Sequence, residues 1–184
     1  MSGWFDGWRA GHRARKGTAA YVDALMREPG TEDVAWLAEY ATSGDTDRAT
    51  WELRYIRRAL GLLVAQRDAL DDRTASAVAH QLSVAMKADR QIAAPMVKLA
   101  ERQFNERLAG YREMMFLRGS AEQLPERIGR ALLLLSGSTR MGSVELQGAT
   151  GIATHLLADL GAELATNFGT AALPEGVPPS AAPR

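Results

Sequence analysis

Apolar residues recur along this chain at intervals of three and four, the spacing that aligns one face of an α-helix, and glycine and proline interrupt the pattern at its joins. Residues 18–28, "TAAYVDALMRE", predict a first short helix stopped by Pro29-Gly30. Thr31 then stands as N-cap of a second, "EDVAWLAEYATS", which Gly44 ends. The widest amphipathic pattern runs over residues 46–70. Trp51, Tyr55, Ile56, Leu60, Leu62, Leu63 and Leu70 fall within about 180° of arc there, with Arg54, Arg57, Arg58 and Asp68 filling the rest. An apolar face of that width needs at least two neighbours.

Val78, Leu82 and Met86 mark a weaker helix over residues 71–89. Met96, Ala100, Phe104, Leu108, Tyr111 and Met115 stripe the next, with Pro95 tolerable in its first turn. The four leucines at 132–135 suit a buried strand taken alone, but Leu124, Ile128, Leu132 and Leu135 share one helical face. Residues 143–168 carry a stripe of Ile152, Leu156, Leu160, Leu164 and Phe168. Beside it runs a smooth strip of Gly151, Ala158, Gly161, Ala162 and Ala165, which predicts a close approach by another helix, at the centre of the fold or at a subunit contact.

The pattern predicts an all-α fold. We expect a single-domain bundle of six or seven helices over residues 18–169, two short ones followed by four longer antiparallel ones, because the connections are short. Residues 1–17 form an N-terminal arm. Residues 170–184, with four of the seven prolines, form a disordered Pro-rich tail. Broad apolar faces and the small-residue strip predict a homo-oligomer, a C₂ dimer.

Composition narrows the chemistry. Lys plus Arg and Asp plus Glu are 22 each, so no global field draws the chain to nucleic acid or an acidic bilayer. The absence of cysteine removes disulfides, thiolate nucleophiles and Cys-ligated metal. No apolar run approaches the roughly 20 residues of a membrane span and no leader pattern opens the chain, so the cytoplasm is the expected compartment. No nucleophile elbow, phosphate-binding loop or metalloprotease pattern occurs. We therefore assign no catalytic residue, no metal site and no cofactor.

Three groups of residues stand out against this background. The stretch "LSGSTRMGS" resembles the loop that wraps the flavin phosphate in NAD(P)H-dependent FMN reductases of the flavodoxin-like class, where a strand leads into Gly-Ser-x-Arg-x-x-Ser at a helix N-terminus. The matching residues are Gly137, Ser138, Arg140 and Ser143. The resemblance implies a parallel sheet after the loop, but only residues 144–184 follow Ser143, and they read as one helix and a tail. A corner between two helices, with Ser143 as N-cap and room for an anion beside Arg140, fits the chain better.

The second group is a ladder. His155, Asp159 and Glu163 align at four-residue steps on the last helix, with Glu145 on the same azimuth. They form a polar stripe, and of these His155, with Ser138, Arg140 and Ser143, offers a polar anchor for a small ligand between helices. The third is the arm. Trp4, Phe5 and Trp8 precede Arg9, Arg13, Arg15 and Lys16, with Asp6 as the one acid. Aromatics plus cations suit a partner contact, a membrane surface or an anionic polymer, or tryptophans tucked onto the bundle's own apolar surface. The function these features favour is a non-enzymatic helical interaction or assembly protein that associates with itself or with a protein partner. The alternative is a small-ligand-binding module near Ser138–Ser143.

Overall fold

A computed structural model describes residues 15–69, 71–118 and 123–169. The expectations for Trp4, Phe5, Trp8, Arg9 and Arg13 and for the Pro-rich tail lie outside the described residues. Among the described residues the fold is all-α, without a strand. Seven helices follow one another: α1 (15–25), α2 (Thr31–Tyr40), α3 (Thr46–Asp68), α4 (Asp72–Lys87), α5 (Val97–Phe116), α6 (Leu124–Leu135) and α7 (Ser143–Phe168). A single 3₁₀ turn, Ala94–Met96, leads into α5 and places Pro95 where its missing N–H costs nothing. Two short helices are followed by five longer ones, one more than the four expected, and α1 already includes Arg15 and Lys16 of the expected arm.

Local chemistry explains the ends. The Asp45 carboxylate accepts from the Arg48 N–H at 2.9 Å to open α3, and Asp71 accepts from the Thr74 N–H at 2.7 Å to open α4. Gln123 and Glu126 form a reciprocal capping box at α6. Thr31 and Ser143, expected as caps, are instead the first helical residues, and Gly30 and Gly142 stand outside them. A side chain already inside the helix no longer reaches back over the free N–H groups. Gly137, at φ 83°, turns the chain out of α6; only glycine adopts that geometry without strain.

Helix α3 occupies the centre, packed by α2, α4, α5 and α7. It is enclosed all round: Leu53, Ile56, Ala59, Leu60, Leu63 and Val64 are buried, and so are Glu52, Arg54 and Arg58. Arg54 and Arg58 therefore do not face solvent as the sequence pattern predicts. The hairpin of α6 and α7 covers one flank, and the leucines at 132–135 end α6 as helix. Glycines set three close approaches. Gly61 admits Leu25 of α1, Gly148 admits the Trp36 indole of α2, and Gly129 lies against the backbone of Ala149 and Thr150. The small-residue strip on α7 faces outward, so of its two expected places it does not mark the centre of the fold. Ala158 and Ala162 are exposed, and nothing lies within 4 Å of where a Cβ on Gly151 or Gly161 would sit.

These glycines give opposite expectations. A Cβ at position 129 would stand 2.7 Å from the Thr150 nitrogen, so Gly129→Ala must push α6 from α7. It should lower stability in urea unfolding by about 1–3 kcal/mol. Gly151→Ala meets open space and should raise it by up to about 1 kcal/mol through helix propensity.

Candidate functional site

The corner between α6 and α7 comes first, because four residues singled out from the sequence, Gly137, Ser138, Arg140 and Ser143, lie there. Ser138 accepts from the Arg140 N–H at 3.1 Å, and its hydroxyl donates to the Arg140 carbonyl at 2.9 Å. The loop is thus closed on itself. Ser138 and Arg140 line a polar cleft of about 270 Å³ together with Glu39, Tyr40, Ser43 and Thr139, and the Arg48 guanidinium lies against Gly137 beside it.

Two helices, α2 and α6, end at this cleft, so it faces their negative poles. The positive pole of α7 is one turn away, and Glu145 in its first turn folds its carboxylate over Gly142. The flavodoxin-like sheet implied by the FMN reductase resemblance is replaced by this helical corner, because the chain after the loop is a single 26-residue helix.

Ser143 is exposed and His155 lies twelve residues further along α7, roughly 18 Å away at 1.5 Å per residue. Neither lines the cleft. The ladder on α7 splits into separate contacts: Asp159 pairs with Arg57 at 3.7 Å and Glu163 with Arg27 at 2.6 Å, tying α7 to α3 and to the end of α1. His155 stays exposed. Among the described residues, no group of three or more His, Asp or Glu side chains is placed to hold a metal ion.

A second site, which the sequence pattern gave no reason to single out, lies where α3 meets the start of α5. Trp51 and Tyr55 stand four residues apart on α3, their ring centroids 5.7 Å apart. They form the back of a cleft of about 320 Å³ with Asp47, Gln91, Ile92, Met96 and Gln103. The Tyr55 hydroxyl donates to Gln103 Oε1 at 3.0 Å. Behind the rings stand cations: Arg54 at 4.5 Å from the Trp51 centroid and Arg107 at 5.6 Å from that of Tyr55.

Each of those cations is held by a carboxylate. Arg107 forks onto Glu52 through Nε at 3.1 Å and Nη2 at 2.6 Å. Arg54 gives Nε and Nη2 to Glu28 at 3.0 and 2.6 Å, and Gln91 donates to the other Glu28 oxygen at 2.8 Å. Arg58, 1% exposed, donates to Asp89 at 2.9 Å. Burial depresses its guanidinium pKa, and the Asp89 hydrogen bond opposes that shift. The signal that could have revealed this network is Glu52, an acid among the apolar and arginine positions of the middle of α3, which forces an arginine from another helix to meet it.

A third feature is an apolar groove between α4 and α5 of about 300 Å³. Leu62 forms its floor, with Leu82 and Met86 on one side and Phe104 and Leu108 on the other. No protein-family model, curated protein or solved structure matches this chain, so its sites are read from their own geometry.

Two expectations follow from the network. Glu52→Gln leaves Arg107 facing a neutral amide and should lower stability by about 2–4 kcal/mol, below the full cost of a buried pair because Arg107 reaches the surface. Asp68→Asn, which breaks the exposed pair with Arg67, should stay within about 0.5 kcal/mol in the same urea titration.

The buried tyrosines give a pH dependence. Burial raises the pKa of Tyr21, Tyr55 and Tyr111, so the fold favours their neutral forms. The stability they support is present below the unfolded value of about 10 and is lost as pH rises beyond it. The urea midpoint should therefore fall steadily above about pH 10, with tyrosine ionisation by absorbance tracking unfolding.

Proposed function

We propose that this chain is a non-enzymatic helical assembly protein that associates with a second copy of itself through the outer face of α7. The observation that supports this reading is the character of that face. Val144, Gln147, Gly151, Thr154, His155, Ala158 and Ala162 fall within about 100° of arc on a helix about 39 Å long, with the exposed Asp159 at the edge of that arc. Val144 is 58% exposed, and no Lys, Arg, Asp or Glu interrupts the row. Small side chains let two helix backbones approach closely, and an uncharged face loses little hydration when covered. The paired Asp159 and Glu163 stand to one side, where they bind α3 and α1 rather than a partner.

The reading in which Ser138, Arg140, Ser143 and His155 anchor a small ligand has less support. Glu145 already faces the positive end of α7, and His155 belongs to the outer face rather than to the cleft.

Light scattering over a concentration series tests the assembly. The full chain should show a mass rising towards twice 19.9 kDa. Ala158→Arg, at an exposed position, should return it to the mass of one chain while the helical circular dichroism is unchanged. A single-chain mass at every concentration, or a dimer that survives Ala158→Arg, overturns the proposal.

A further inference from the structure

We infer that residues 1–14 dock on their own chain, with Trp4, Phe5 and Trp8 in the groove between α4 and α5 and the neighbouring arginines over the acidic start of α4. The inference is independent of the association through α7.

The first argument is where the arm joins the bundle. The Tyr21 hydroxyl donates to the Gly61 carbonyl, and Glu28 meets Arg54, so α1 runs antiparallel to α3. Its start therefore lies at the end where α3 stops. Gly17, against the Asn167 carbonyl and the Phe168 ring, places it beside the end of α7 as well. Asp68 closes α3 at that end, and Asp71 and Asp72 open α4 there, both exposed.

The second argument is the direction of the groove. Helix α4 is antiparallel to α3, since Asp89 beyond its end meets Arg58. Helix α5 is parallel to α3, since Gln103 meets Tyr55 and Arg112 meets Gln66. At the far end of the groove, Lys87 and Glu101 face each other across it at 3.4 Å. Its approach from the arm's end runs past Asp71 and Asp72, with Ser83 and Asn105 exposed at its mouth.

The order of residues then matches the order of surfaces. Read back from α1, the arm presents Arg13 and Arg9, then Trp8, Phe5 and Trp4. Read inward from the bundle end, the protein presents Asp71 and Asp72, with Arg73 beside them and Asp68 already paired with Arg67, then Leu82, Phe104 and Leu108 lining the groove. Cations meet carboxylates and aromatics meet the apolar groove. Reach is sufficient for the leading aromatics: Trp4 stands eleven residues before Arg15, up to about 36 Å of extended chain, against roughly 15 Å along α4 from Asp72 to Leu82 plus one interhelix spacing of about 10 Å. Gly11 allows the reversal of direction. A tether of this length holds the arm at an effective concentration on the order of millimolar, so a contact too weak for a separate peptide is occupied.

The chain contains no cysteine, so introduced ones label uniquely. The test uses spin labels on Asp6→Cys paired with Asn105→Cys at the groove mouth, or with Glu39→Cys on α2. Distances are measured by pulsed electron resonance in excess unlabelled chain. The pair 6/105 should give one narrow distribution, shorter than that of 6/39, and the double change Trp4→Ala, Trp8→Ala should broaden it. A broad 6/105 distribution overturns the inference, as does one unmoved by removal of the two tryptophans. A short distance that vanishes on dilution with unlabelled chain also overturns it, and assigns the groove to a second copy's arm. The two proposals fail separately: light scattering reports the α7 contact, and the diluted distance reports the arm.

Discussion

The enclosure of α3 is the constraint on which the remaining helices depend. The middle of this helix has little solvent face for charge, yet it carries Glu52, Arg54 and Arg58 inside. A charge moved from water into the interior without a partner costs several kcal/mol, so each must be met from a neighbouring segment. Arg107 comes from α5, Glu28 from the turn after α1, and Asp89 from the segment after α4. Arg54 and Arg107 each bind their carboxylate through two nitrogens, whereas Arg58 donates to Asp89 through Nη2 alone and leaves Nε and Nη1 buried without a partner. Together they set how far three surrounding segments slide along α3.

The glycine contacts do the same for elements without buried charge. Gly129 lets α6 meet the α7 backbone, Gly148 receives Trp36 from α2, and Gly61 receives Leu25 from α1. Charge pairs on one side of α3 and close packing on the other leave few alternative registers. What they leave uncovered is correspondingly specific: the outer face of α7, the groove between α4 and α5, and the aromatic cleft around Trp51 and Tyr55. The two proposals concern the first two of these. Both surfaces are apolar or uncharged and lie beside paired charges that belong to the fold.

The candidate residues near the α6–α7 corner show how a short motif is redefined by what surrounds it. Gly137, Ser138, Arg140 and Ser143 have the residue types of a phosphate loop, but the segment before them is a helix end and not a strand end. Helix C-termini present carbonyl oxygens, the opposite polarity from a phosphate cradle. His155 was legible as a polar residue on the last helix. Its place on an uncharged outer face was not, because that follows from which side of α7 the bundle covers.

The sequence by itself determined the fold class, the existence of every helix and the bounds of α7, because helical periodicity and glycine or proline at the joins are local properties. It also marked the apolar stripe on each helix. Tertiary structure decided which helix lies at the centre. Both α3 and α7 carry wide apolar faces in sequence, and α3 is enclosed because partners elsewhere in the chain neutralise its charges. The small strip of α7 is left outside for the complementary reason. Its glycines and alanines bury little apolar area, so the larger stripe of Ile152, Leu156, Leu160 and Leu164 turns inward. Those choices depend on contacts between residues far apart in the chain, and no local pattern encodes them.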